Sequence, residues 1–177
     1  MLGHALDFFF PKRSLTDLEG TWVTPEELEH FRLFPLMLKE DKLRTRGINH
    51  LDHLVAAGKY DSCRLLQKAI RIFKYGRIDE LAALLAGVMT KSLPGLLPRE
   101  GEDGPPLLCP VPLHWSRKFW RGFNQSALLA EHVGKQRGWP VAHLLKRTRP
   151  TGQQALRDRQ QRLTSMDGAF RYIGPAQ

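Results

Sequence analysis

The chain has 177 residues, 42% hydrophobic and 25% charged, with a mean hydropathy of −0.36. That length and mixture suit one globular domain, or a domain with a small appendage, and argue against a disordered chain. No apolar run approaches the roughly 18 residues that a bilayer span requires. Residues 6–11 are largely apolar but too short for a secretion signal and follow no cationic segment, so a cytoplasmic protein without membrane insertion is expected.

The net charge of +9 is unevenly placed. Residues 107–162 hold 11 Lys/Arg and 2 Asp/Glu of the chain's 27 and 18, so the remainder balances at sixteen of each. Such a concentration points to a polyanionic partner: nucleotide phosphates, pyrophosphate or a nucleic-acid backbone. The plainer alternative is a solvated cationic face. Two cysteines, Cys63 and Cys109, stand outside any CxxC pair, which argues against a zinc ribbon. Both are expected to pack as small hydrophobes.

In chain order, residues 1–21 read as an N-terminal segment in which residues 6–10 form one helical turn or a short strand, stopped by Pro11. Thr24-Pro-Glu-Glu27 predicts a helix start: Thr24 caps, Pro25 suits the first position and Glu27 stands at the capping-box position. Leu28, Phe31 and Leu33 supply its apolar face, and Pro35 ends it. Residues 39–49 are polar and read as a linker. A strand over 53–60 precedes a helix capped by Asp61 or Ser62. Its apolar positions Leu65, Leu66, Ala69, Ile70 and Phe73 recur at helical spacing, with Gly76 as C-cap. A second helix over 79–92 turns Leu81, Leu84, Leu85, Val88 and Met89 inward. Residues 94–106 are breaker-rich and read as a surface connection.

The most informative stretch begins at residue 107. A short apolar run, 107–111, reads as a strand buried on both faces, of the kind found in parallel sheets whose ligands lie beyond the strands' carboxyl ends. It leads into a loop that carries Trp115, Phe119, Trp120 and Phe123 among Arg117, Lys118 and Arg121. A helix capped by Asn124 or Ser126 runs to Gly138, and a second apolar strand covers 141–145. A basic, amide-rich run over 146–162 follows, then a strand over 168–173. The order is that of an α/β protein.

These residues resemble the ComF family of phosphoribosyltransferase-like proteins, linked to DNA uptake in natural competence. The resemblance rests on Ala69-Ile-Arg-Ile-Phe-Lys-Tyr75, Pro110-Val-Pro-Leu113, Arg121-Gly-Phe-Asn-Gln125, Lys146-Arg-Thr-Arg-Pro-Thr-Gly-Gln153, Arg162 and the Ala169-Phe170 pair, and covers about residues 55–172. It implies a type I phosphoribosyltransferase-like α/β fold with an incomplete parallel sheet and an N-terminal helical or hood segment. Residues 1–50 would be the accessory segment and 51–177 the partial phosphoribosyltransferase-like domain.

The implied ligand is a phosphorylated ribose, a nucleotide or pyrophosphate. Pro110, Val111, Pro112 and Leu113 would face pyrophosphate. Arg121 would supply bidentate phosphate recognition and Gly122 close backbone approach. Asn124 and Gln125 would either hydrogen-bond a base or ribose or cap the next helix. Arg147, Arg149, Gln153 and Arg162 would belong to a flexible loop that closes over the ligand. Lys74 would either reach a phosphate or complement the end of its own helix. His114, beside the loop, is a weaker candidate as a general base.

Two departures narrow the expectation. Family members often open with a four-cysteine zinc site; residues 10–24 hold no cysteine, so zinc should be absent. The phosphoribosyl pyrophosphate loop, an apolar strand followed by an acidic pair and a Thr/Gly turn, has no match either. The chain is therefore expected to be truncated and not catalytic alone, needing no cofactor. Mg²⁺ and phosphoribosyl pyrophosphate are implied only for the complete architecture. Competence-machinery proteins are further implied partners. Two other functions stand beside this one: a module for single-stranded nucleic acid, whose recipe of aromatics and cations the loop follows, and a partial domain without strong ligand binding.

Overall fold

The computed structural model of the chain describes residues 12–31, 34–75, 78–92, 104–151 and 165–175. Two compact units divide it, Met1–Leu97 and Pro98–Gln177. The N-terminal run 6–10, Gly76 and most of the connection 94–106 lie outside the described residues.

The first unit is built on one carboxylate. Helix α1 (Pro25–Glu29) starts with the expected capping box: the Glu27 N–H donates to Thr24 Oγ1 at 3.1 Å and the Thr24 N–H donates to Glu27 Oε2 at 2.8 Å. Glu27 is only 4% exposed, yet it stays ionised because other donors converge on it. The Ser14 hydroxyl donates at 2.8 Å, the Thr16 hydroxyl at 2.6 Å and the Thr16 N–H at 2.5 Å. Burial pushes this carboxyl upward. The bonds from the Thr16 hydroxyl, the Thr24 N–H, the Ser14 hydroxyl and the Thr16 N–H outweigh it and hold the pKa at about 2. Lys68 secures the same loop through the Leu15 carbonyl at 2.6 Å.

Residues 39–49 are not the linker expected of them. Strand β1 (Leu36–Lys39) runs directly into helix α2 (Glu40–Arg44), which buries Leu43 completely. β1 pairs antiparallel with β2 (His53–Ala56), Leu36 opposite Ala56 and Lys39 opposite His53. β2 is shorter than the expected strand, and a 3₁₀ turn (Tyr60–Ser62) leads into α3 (Arg64–Tyr75). α3 buries Leu66, Ala69 and Phe73. α4 (Asp79–Ser92) buries Leu81, Ala82, Leu85, Ala86 and Val88, and the two helices pack together. Each large side chain so buried is worth roughly 1.5–3 kcal/mol. Met89, expected inward, is exposed.

The second unit corrects the expected fold. There is no parallel sheet of the phosphoribosyltransferase kind among the described residues. Those residues form two separate two-stranded antiparallel sheets, β1–β2 and, in the second unit, β3 (Leu145–Arg147) with β4 (Phe170–Tyr172). The two runs expected as parallel strands, 107–111 and 141–145, meet at a single parallel bridge between Leu108 and Val141. The Leu108 N–H donates to the Pro140 carbonyl and the Ala142 N–H to the Leu108 carbonyl, both at 2.9 Å. The ladder goes no further because Pro110 and Pro112 lack an N–H to donate, and Leu107, Cys109 and Val111 are exposed rather than buried. Cys109 therefore does not pack as a core residue, unlike Cys63.

The aromatic and cationic stretch, expected as a loop, is helix α5 (Trp115–Arg121), followed after Gly122 by α6 (Gln125–Arg137). Gly134 lets α6 approach the chain that returns through Trp139 and Val141. A Cβ there would lie 2.7 Å from the Trp139 carbonyl oxygen and 2.8 Å from Val141 Cγ2. Pro110, Val133, Trp139 and Ala169 are the buried apolar residues of this unit among those described. Among the described residues no helix is long and apolar enough to cross a membrane.

Candidate anion-binding site

The segment 110–125 is assembled by its own side chains. Pro110 is buried, and Pro112 and Leu113 are half-buried. Asn124 reaches back and donates from Nδ2 to the Val111 carbonyl at 3.1 Å, while its Oδ1 accepts the Ser126 N–H at 3.2 Å. Asn124 is thus the N-cap of α6 and also pins the loop after Leu108. Gln125 is buried, and its Oε1 accepts from Arg121 Nη1 at 3.3 Å. Gly122, with φ of 80°, is the left-handed C-cap of α5, and its N–H donates to the Lys118 carbonyl at 2.7 Å. Pro110, Val111, Arg121, Gly122, Asn124 and Gln125 are brought together, with helix caps supplying much of the geometry.

His114 is 6% exposed and serves as the N-cap of α5. Its Nδ1 lies 2.8 Å from Ser116 Oγ and accepts the Ser116 N–H at 3.4 Å. A ring nitrogen engaged in this way holds the helix start rather than standing ready as a base.

A second cluster forms around Arg147, the last residue of β3. Its guanidinium carbon lies 5.5 Å from the centre of the Phe170 ring, its partner across the ladder. Nη2 donates to the hydroxyl of buried Thr151 and lies 3.9 Å from Met166 Sδ. Nε is buried and makes no hydrogen bond among the described residues. Burial lowers the pKa of this arginine, and the like charge of Arg117 on α5 lowers it further. Two cations therefore lie within electrostatic reach, one of them with a buried donor left over.

The chain following Arg147 is also held. The Thr148 N–H donates to the Ala169 carbonyl at 2.9 Å, the Thr148 hydroxyl to the Gly168 carbonyl at 3.1 Å, and Arg149 Nη2 to the Asp167 carbonyl. Gln153 and Arg162 lie outside the described residues. Lys74 is exposed in the last turn of α3, in the first unit. Sequence reasoning noticed Arg117 only as part of a basic loop. A helical reading would have placed it one turn before Arg121.

Among the described residues no group of three or more His, Cys, Asp or Glu side chains is placed to hold a metal ion. Comparison of the chain with protein-family models, with curated proteins and with solved structures found no match in any of the three.

Proposed function

We propose that the second unit binds a phosphorylated ribose, a nucleotide or pyrophosphate, in the ComF-type role in DNA uptake that the sequence resemblance implies. The observation that supports this reading is Arg147: a half-buried cation with a buried Nε lacking a partner among the described residues and the like charge of Arg117 within electrostatic reach. A phosphate oxygen answers all three conditions. It accepts from the guanidinium fork, neutralises the repulsion and compensates the lost solvation. Arg121, on the same helix as Arg117 and held by Gln125 of α6, adds a further cation to that helix. No bond-making step is assigned to this chain.

Titration calorimetry with inorganic pyrophosphate, phosphoribosyl pyrophosphate and a nucleoside monophosphate tests the reading. Saturable binding is expected, weakened about tenfold or more by Arg147→Met, since a charged hydrogen bond is worth roughly 1.5–3 kcal/mol. Binding should also weaken with salt. Absence of binding to all three, or binding indifferent to Arg147→Met and Arg117→Ala together, would refute it.

A further inference from the structure

Helix α5 turns its aromatic residues to solvent. Trp115 is 74% exposed, Phe119 83% and Trp120 85%. At about 100° per residue, these three fall within about 140° of arc, while Arg117, Lys118 and Arg121 occupy an arc of about 100° on the other side. The side chains are thus sorted by chemistry around a helix that buries no residue of its own. Both ends are fixed, by the His114 cap and the left-handed Gly122, so the aromatic arc is displayed on ordered backbone.

We propose that α5 docks the second unit onto an anionic lipid surface, with Trp115, Phe119 and Trp120 entering the boundary between headgroups and acyl chains and exposed Lys118 meeting lipid phosphates. Indole and phenyl rings flanked by cations have the chemistry of that boundary. Charge complementarity favours it: residues 107–162 carry 11 basic against 2 acidic side chains, and an anionic leaflet attracts such a segment. A single nucleic-acid strand is the competing polyanion, but it stacks its bases on rings lining a groove. Rings as exposed as these project from a convex helix and are shaped to insert. The inference stands apart from the phosphate site, because it uses the aromatic arc of α5 with Lys118 and needs neither Arg147 nor Arg117.

The test is flotation of the full chain with vesicles of phosphatidylcholine alone and of phosphatidylcholine mixed with phosphatidylglycerol. Co-flotation with the anionic vesicles is expected. The Trp115→Ser/Trp120→Ser double variant should weaken it about tenfold or more, as expected when buried aromatic area is lost, with pyrophosphate binding unchanged. Lys118→Glu should reduce the preference for anionic vesicles. In the unmodified chain, brominated acyl chains should quench tryptophan fluorescence. Failure to float with anionic vesicles, flotation unaffected by the double variant, or absence of quenching overturns the proposal. So does a double variant that loses oligothymidylate binding while still floating, which would assign the arc to nucleic acid.

Discussion

Glu27, a buried charge, and Arg147, a half-buried one, are treated in opposite ways. Glu27 has more donors than it needs, and its pKa of about 2 lies below the ordinary 4.5. A depressed carboxyl contributes stability that is complete above its unfolded value and is lost as pH falls through the folded one. The first unit should therefore lose stability between about pH 4.5 and about pH 2, as followed by acid titration of helical circular dichroism. Glu27→Gln should flatten that dependence and cost about 2 kcal/mol at neutral pH, through the capping box and the charged hydrogen bonds. Arg147 has fewer partners than it needs. Its replacement by Met should leave thermal stability unchanged or raise it by about 1 kcal/mol, because an apolar side chain of similar length avoids the desolvation. A variant that binds pyrophosphate worse while melting no earlier marks a residue kept for its ligand.

At the scale of elements, the legible parts were those whose burial is periodic. α3 and α4 could be read from Leu66, Ala69 and Phe73 and from Leu81, Leu85 and Val88, because one face of each meets the core. α5 was hidden because it buries nothing: Trp115, Phe119 and Trp120 mark no inward stripe, so the period carried no message. α2 was hidden for a similar reason, with Leu43 its single buried residue. The candidate site was legible as a basic segment, but Arg117 was not singled out, since its nearness to Arg147 depends on α5 being a helix. The parallel sheet failed at Pro110 and Pro112, whose missing donors limit pairing to Leu108. Gly134 makes that contact possible, and Gly134→Ala should lower the unfolding free energy by about 1–3 kcal/mol from overpacking. That loss would exceed the gain of about 1 kcal/mol in helix propensity, as chemical denaturation would show.

At the scale of the molecule, fourteen of the eighteen buried apolar side chains among the described residues lie in the first unit and four in the second. Unfolding should therefore proceed in two steps, the second unit melting first, and pyrophosphate should raise only the lower transition in a calorimetric scan. A single transition shifted as a whole would mean that the units unfold together. The bridge between Leu108 and Val141 sets an order within that unit. It joins positions 33 apart in sequence through two hydrogen bonds. Closing a chain of that length costs about 3 kcal/mol of entropy, against about 1 kcal/mol returned by each bond. Such a clasp cannot start the folding of its own loop. It closes only after α6 has shortened the distance, and it is the first part released. Amide exchange at Leu108 and Ala142 should accordingly run ahead of exchange in the middle of α6, making the clasp a timer for the opening of the second unit.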